Sequence, residues 1–465
     1  MIPLLPAIVI IPILFSLPIF YFGDTHAKKI AIAASSISFV LAVIAGAIAI
    51  TQGYGALTFS SAYIQQINAG FSFSLGQLTL LLFLMTAIVF FAATLVSDCF
   101  IKSSKSLYYI VLLLSEAGGL GVFASSNFLL LDMFWEISEV AMFFMIFVFG
   151  SNNRRYAAMK FIIYSVVASL MLLIGVIMLY VSVPVHTFNI QSIISQGSAL
   201  STNVQDIVFV LFLIAFMIKM PVFPFHGWLP DAHTEAPTTG SMILAGVLLK
   251  YGGYGLFLTF EIIRMSTSLA PYLAVLFGFS AIYAAFAAIK QTNLKRLIAY
   301  TSITDMGIVA LGLGTFTLIG NYGAFYGMLS HGLAIAILFL VAGTLKEMYD
   351  SLDMRSISGV IRNYPQLAYF FIFGMITIIG FPITTGFITD ILIFYGSVSA
   401  FGLYGIVPLV SILVMGGLLF LVIEKVMMPY VNVEPAGVFD RRVVLGCSIL
   451  AAGVILFGVL PGIFI

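Results

Sequence analysis

Long apolar stretches, each close to the length of a membrane span, follow one another along almost the whole of this 465-residue chain. A transmembrane α-helix needs about 20 consecutive apolar residues to cross the hydrocarbon core of a bilayer. Only 8% of the residues are charged, whereas about 25% are charged in an ordinary soluble domain. The sequence therefore predicts an all-α polytopic membrane protein, with residues 1–465 in a single integral membrane domain.

Fourteen stretches are long and apolar enough to be predicted as transmembrane helices. They lie at about 4–22, 30–50, 75–96, 107–125, 127–149, 161–183, 205–224, 238–261, 269–289, 296–315, 321–345, 365–396, 404–426 and 443–464. The predicted divisions of the domain are three N-terminal helices in 1–106, a first repeat in 107–261, a second repeat in 269–426 and a last helix in 443–464. The N-terminus lacks a basic segment before its apolar residues, so it predicts a retained helix and not a signal peptide.

The distribution of basic residues tests this count independently. If the loops after odd-numbered helices share one side, that side receives sixteen of the nineteen lysines and arginines, and the opposite side receives only Arg264. The sixteen are Lys28, Lys29, Lys102, Lys105, Arg154, Arg155, Lys160, Lys290, Lys295, Arg296, Lys346, Arg355, Arg362, Lys425, Arg441 and Arg442. Loops rich in lysine and arginine stay in the cytoplasm. Both termini are therefore predicted outside, and a prokaryotic cytoplasmic membrane and the mitochondrial inner membrane fit equally well.

Two predicted helices contain prolines near their centres. Pro221 and Pro224 follow Lys219 in AFMIKMPVFPFHGWLPDAH, and Pro382 lies in 365–396, which is too long for one straight span. Proline removes a backbone donor and clashes with the preceding turn, so predicted helices 7 and 12 should be broken inside the membrane. Because the two breaks are five helices apart, we expect two inverted five-helix repeats, predicted helices 4–8 and 9–13.

Several ionisable residues lie near the centres of their predicted helices. They are Glu116, Glu136, Lys219, Lys250, Asp305, His331 and Asp390. A charge at the bilayer centre costs ~2.5–3.5 kcal/mol or more, and such residues usually mark ion or proton pathways. Buried groups with neighbouring charges can bind and release protons near the working pH. The pattern therefore indicates a path for protons or another small cation.

Structural roles are the alternative for each of these residues. Lys250 lies about ten residues, or ~15 Å, from either end of its predicted helix, too far for its amine to reach the headgroups. Glu136 and Lys219 could form a static ion pair, although buried pairs are often neutral or unfavourable for stability. His331 could be a core histidine bonded to a carbonyl, and Glu116 could bridge two closely packed helices.

Glu139 follows Glu136 by three residues and lies on nearly the same face of the predicted helix. Two ionised carboxylates so close together are improbable in lipid. We therefore expect one of the two to be protonated or to pair with a further group.

No metal, cofactor or nucleic-acid site is expected from the sequence. The histidines and acids of FHGWLPDAHTEAP are interrupted by Pro230 and Pro237, which predicts a structural loop. Cys99 and Cys447 are far apart and have no ligand spacing. A net charge of +1 offers no concentrated basic surface to nucleic acid.

The run KMPVFPFHGWLPDAHTEAPTTGSMILAGVLLKYGGYG resembles the signature of the antiporter-like, proton-translocating membrane subunits of complex I-type oxidoreductases, most closely chain M, the subunit-4 type. Further matches are DMFWEISEVAMFF, NLKRLIAYTSITDMG, YGMLSHGL and TTGFITDILIFYGS, over roughly 75–425. The resemblance implies a relay in which Glu136 pairs with Lys219, Lys250 is central, His331 connects and Asp390 forms the exit.

Two positions depart from the pattern of the family. Relatives typically carry glutamate at the position of Asp390, so this shorter side chain is expected to need a water to span the gap. Relatives often carry histidine at the position of Asp305, where an aspartate can also relay protons.

The resemblance also implies that this chain carries no cofactor of its own. Flavin, iron–sulfur clusters and quinone would lie in partner subunits, and chain L-like and chain N-like subunits would be its neighbours in the bilayer. NADH, a reduced deazaflavin, ferredoxin and a plastoquinone-linked chain all stay open as the source of electrons.

Other functions share the predicted fold. The chain could be a subunit of a multi-subunit Na+/H+ antiporter or of an ion-pumping membrane-bound hydrogenase. A self-contained solute transporter would need a substrate-sized polar pocket at the helix breaks, and the few polar residues near Pro221 and Pro382 are mainly threonines.

Overall fold

The computed structural model describes residues 3–263, 268–428 and 439–463. Arg264, predicted on the outer side, lies outside the described residues. The helices are α1 Leu4–Phe22, α2 Asp24–Gln52, α3 Gln77–Val96, α4 Lys105–Ala124, α5 Phe128–Phe149, α6 Arg154–Ser182, α7 Ile190–Gln196, α8 Thr202–Lys219, α9 Leu229–Glu235, α10 Thr238–Ile243, α11 Leu249–Ile262, α12 Ala270–Ile289, α13 Leu294–Leu313, α14 Leu318–Tyr349, α15 Val360–Asn363, α16 Pro365–Ile378, α17 Thr385–Phe401, α18 Val407–Val422 and α19 Arg441–Val459. Two antiparallel strands, β1 Phe59–Ile64 and β2 Ala69–Phe73, follow α2.

Within these ranges, thirteen helical segments are long and apolar enough to cross a membrane. The 22-residue α5 is not among the thirteen; it carries three acids, Asp132, Glu136 and Glu139. α16 is apolar but has only 14 residues, because the helix stops at the break before α17. The predicted all-α polytopic class is confirmed, while the count of fourteen and the two inverted repeats stay predictions.

The 32-residue α14 forms the centre of the bundle. Its most apolar segment is buried along its whole length, whereas less than half of the corresponding segments of α1, α6 and α18 is buried. Gly332 of α14 packs against the turn between α10 and α11, where a Cβ on this glycine would lie 2.8 Å from the Gly246 carbonyl oxygen. Small residues allow such close approach between membrane helices.

Charged side chains gather at one end of the bundle in two clusters. In the first, Asp98 accepts hydrogen bonds from Lys28 at 2.9 Å, Lys105 at 2.5 Å and Arg442 at 3.1 Å. This carboxylate therefore ties together the starts of α2, α4 and α19.

In the second cluster, Asp231 accepts from Lys160 at 2.7 Å and from Arg296 at 2.9 Å. Lys346 donates to Ser151 at 2.7 Å. Lys102, in the loop between α3 and α4, lies 3.9 Å from Glu347. The contacts join loops that the sequence predicts on one side, and we call this the basic end.

Candidate functional site

Lys219 is the last residue of α8, directly before the proline-rich segment that ends the helix. Its side chain is 1% exposed, and its ammonium donates to Oε1 of Glu139 on α5. The rings of Trp135 and Phe161 lie 5.6 and 5.2 Å from Nζ, within the range of cation–π attraction. A buried carboxylate and two aromatic faces thus hold this cation inside the bundle.

The ion pair predicted between Glu136 and Lys219 is not formed in this structure. Glu136 instead accepts a hydrogen bond from Ser169 of α6. At 3.6 residues per turn, a separation of three residues turns two side chains about 60° apart. Glu139 therefore faces α8 and Glu136 faces α6, and Lys219 is the partner of Glu139 that the sequence did not identify.

The break after Lys219 packs against α11, close to the second lysine. Gly252 lies two residues after Lys250, and a Cβ on Gly252 would be 2.5 Å from the Met220 backbone nitrogen. The absence of a side chain therefore brings the end of α8 onto α11. This contact places the two membrane-buried lysines in adjacent elements.

Lys250 follows a π-helical turn, Leu244–Leu248, that joins α10 to α11. The lysine is 0% exposed. Its Nζ donates to the Ala245 carbonyl and lies 2.6 Å from Nδ1 of His331 on α14. For the ammonium to donate to Nδ1, that nitrogen must lack a proton, so a neutral ring carries its proton on Nε2. His331 Nε2 has no hydrogen-bond partner among the described residues.

A small cavity lies beside His331 and contains both acids of the second half. Its volume is about 20 Å³, and its polar lining is Asp305, Ser330, His331, Thr389 and Asp390. A cavity needs roughly 10–15 Å³ to hold a water. The cavity is therefore large enough for one water, and the water expected beside Asp390 stays a prediction.

Asp390 is positioned by the break between α16 and α17. Gly380 has a φ of +72°, and a Cβ added there would collide with the Asp390 carboxylate. Glycine adopts this left-handed conformation without steric cost. The backbone of the break thus forms part of the wall around the acid.

Glu116 lies in a separate polar cluster. It is fully buried and accepts from Ser35 at 2.5 Å, and Ser35 lies 3.0 Å from Thr94. Among the described residues, no hydrogen bond or ion pair joins Glu116 to either buried lysine. The structure therefore supports the bridging role for Glu116, between α2, α3 and α4.

Two buried polar residues near the basic end were not among the predicted site residues. Lys295 is 1% exposed and donates to the Ala236 carbonyl at 2.7 Å. His233 is fully buried, stacks on Phe339 with ring centroids 4.5 Å apart, and has no hydrogen bond at either ring nitrogen. Burial, and then the charges of Lys295 and Lys250, hold the pKa of His233 well below its ordinary value. The run PDAHTEAP, which contains His233, was the sequence feature from which a role for this histidine could have been predicted.

Fold and site together define a polytopic helical membrane protein with a buried row of ionisable side chains beside interrupted helices. Residues 125–416 match the family described as NADH:quinone oxidoreductase/Mrp antiporter, transmembrane. This match and the relatives below show that the chain belongs to that family, as the sequence motifs predicted.

The relatives of this chain include a bacterial and an archaeal protein. NADH-quinone oxidoreductase subunit M of Rickettsia prowazekii (strain Madrid E) is 38% identical over 336 residues, which cover 72% of this chain and 68% of that protein. F(420)H(2) dehydrogenase subunit M of Methanosarcina mazei is 31% identical over 419 residues, which cover 86% of this chain and 83% of that protein. A chain of respiratory complex I from Thermus thermophilus with bound NADH shares the fold, with a TM-score of 0.91 over 99% of this chain and 96% of that chain, at 24% identity.

Proposed function

We propose that this chain is the proton-translocating membrane subunit of a redox-driven, complex I-type dehydrogenase. The observation that carries the proposal is Lys250. This fully buried lysine has no carboxylate within ion-pair distance among the described residues, and its one side-chain hydrogen bond there is to a histidine whose Nε2 has no partner. A cation held in this way is costly in a membrane and is suited to gaining and losing a proton.

Proton uptake is proposed from the basic end, which the excess of lysine and arginine orients toward the cytoplasm. Both termini then face outward across the cytoplasmic membrane. His233, a buried polar group near that end, faces the charges of the buried Lys295 and of Lys250. Waters between these side chains would carry protons inward to Lys250.

Transfer beyond Lys250 runs through His331 to the cavity. The ammonium gives a proton to Nδ1, and the ring releases its Nε2 proton to a water in the cavity. Asp305 and Asp390 line the same cavity and can accept that proton, and Asp390 is the proposed exit group. Lys219 with Glu139 and Glu136 forms the charge-sensitive element of the first half.

The driving redox chemistry belongs to partner subunits in this proposal. Flavin, iron–sulfur clusters and quinone would be bound there, and chain L-like and chain N-like subunits would flank this chain. NADH and a reduced deazaflavin are both candidate electron donors, since the relatives include subunits of an NADH-quinone oxidoreductase and of an F(420)H(2) dehydrogenase.

The test is Lys250→Ala in native membrane vesicles, with donor oxidation and proton uptake measured in the same preparation. Both should fall while the complex still assembles. Lys29→Ala is the matched control, because Lys29 is exposed at the basic end. Unchanged oxidation and pumping in Lys250→Ala would overturn the proposal.

A subunit of a multi-subunit Na+/H+ antiporter is the second candidate, because the family description names the Mrp antiporters. A deletion strain that loses sodium resistance while respiration stays intact would favour it. A solute transporter is disfavoured at the α16–α17 break, where the cavity of about 20 Å³ is the size of a water.

A further inference from the structure

Three acids lie along one face of α5, and among the described residues a single lysine forms an ion pair with one of them. Asp132, Glu136 and Glu139 are spaced by four and then three residues, which places them within about 60° around the helix. Among the described residues, Glu139 has an ion pair with Lys219, Glu136 has a hydrogen bond with Ser169, and Oδ1 of Asp132 is buried without a partner. The face therefore contains more carboxyl groups than cations.

Lys219 contacts Glu139, and Glu136 is the neighbouring acid on the same helix. Residues three apart on a helix have Cβ atoms about 5–6 Å from each other. The lysine side chain is a flexible four-carbon stem with a compact charge, and it projects from the broken end of α8 toward α5. Glu136 is thus the carboxyl group on α5 three residues from the one that Lys219 now contacts.

We propose that Lys219 exchanges between Glu139 and Glu136, and that Ser169 stabilises Glu136 while the lysine is on Glu139. The inference rests on the proposed translocating function. It names Glu139 and Ser169 as further positioning residues of the same site.

The exchange has a definite proton balance. With Lys219 charged and paired to ionised Glu139, Glu136 keeps its proton and shares a hydrogen bond with the Ser169 hydroxyl, which can donate or accept. When the ammonium moves to Glu136, the O–H bond on Glu136 breaks and one forms on Glu139. The net charge of the three groups is unchanged, and one proton has moved three residues along α5, from Glu136 to Glu139.

A static ion pair between Lys219 and Glu139 is the competing explanation. Such a pair requires neither Glu136 nor Ser169, and it would make Glu139 matter only for assembly. The two explanations differ in the behaviour of substitutions that keep shape and remove ionisation.

The experiment uses the assembled complex in native membranes, with Glu139→Gln, Glu136→Gln and the exposed Glu261→Gln as matched control. If Lys219 exchanges between the two acids, Glu139→Gln and Glu136→Gln should each lower pumping and donor oxidation roughly 10-fold, which corresponds to about 1.4 kcal/mol. The complex should still assemble in both variants. Exchange also predicts that the part of the infrared carboxyl signal that donor addition produces on Glu136 and Glu139 is lost in both variants and kept in Glu261→Gln. Activity and carboxyl signal unchanged in Glu139→Gln would overturn the proposal.

Ser169 provides a second test if Glu139→Gln fails to assemble. Ser169→Ala should lower pumping, and Ser169→Thr, which keeps the hydroxyl, should restore it. Equal pumping in these two variants and wild type would contradict a role for Ser169 in the exchange. If Lys250→Ala abolishes pumping while the α5 variants do not, this inference alone fails; if Lys250→Ala also pumps normally, the proposed function itself fails.

Discussion

Nζ of Lys250 lies 2.6 Å from Nδ1 of His331, and both side chains are buried between α11 and α14. These residues are 81 positions apart in the chain. Their contact joins the first half of the ionisable row to the cavity that contains Asp305 and Asp390. In the proposed path, it is therefore the point at which a single substitution would separate proton uptake from proton exit.

His331→Gln should lower proton pumping strongly while the complex assembles. The glutamine oxygen can still accept a hydrogen bond from Lys250, but an amide cannot take up and pass on a proton as imidazole does. Proton pumping and donor oxidation in membrane vesicles are the measurements. His26→Gln, at an exposed histidine, is the control, and wild-type pumping in His331→Gln would exclude a relay through this ring.

His233→Phe should slow proton uptake without loss of assembly. Phenylalanine keeps the stack on Phe339, and neither ring nitrogen of His233 has a hydrogen bond to lose. The initial rate of proton uptake after donor addition tests this, with the amount of assembled complex measured on native gels. Normal uptake in this variant would remove His233 from the proposed path.

Gly380→Ala should destabilise the break between α16 and α17 and displace Asp390. Alanine at a positive φ costs about 1–2 kcal/mol, and its Cβ would collide with the Asp390 carboxylate. The unfolding temperature of the purified complex and its pumping should both fall. Gly416→Ala is the matched control, since a Cβ there meets no atom within 4 Å; an equal effect of both changes would contradict the explanation.

Asp98→Asn should lower the unfolding temperature, and added salt should reduce the difference from wild type. Lys28, Lys105 and Arg442 all contact this carboxylate, so its neutralisation leaves three cations that repel one another. Salt screens charges that water can reach. Asp353→Asn, whose partner Arg355 is 77% exposed, should have almost no effect, since exposed ion pairs contribute about 0–1 kcal/mol.

Particular residues show which features could be read from the sequence. The lysines were recognisable because a charge inside a long apolar stretch is expensive wherever it lies in the bundle. The end of α8 at Lys219 follows from Pro221, which acts through its own ring and backbone. The basic end follows from the distribution of lysine and arginine between successive loops.

The choice of partner for Lys219 could not be read in this way. Glu136 and Glu139 differ by about 60° around α5, and the side that each faces depends on where α6 and α8 pack. Whether His233 is solvated or buried depends likewise on Phe339, more than 100 residues further along the chain.

Apolar length, proline and charge act locally, so the polytopic helical class, the family and most of the buried ionisable residues could be predicted from the sequence. The packing of the helices was needed to show that Lys219 pairs with Glu139, that a π-helical turn precedes Lys250, and that His331 and Asp390 line the same water-sized cavity. These features arise from the rotation and close approach of helices distant in the chain, which no local pattern specifies.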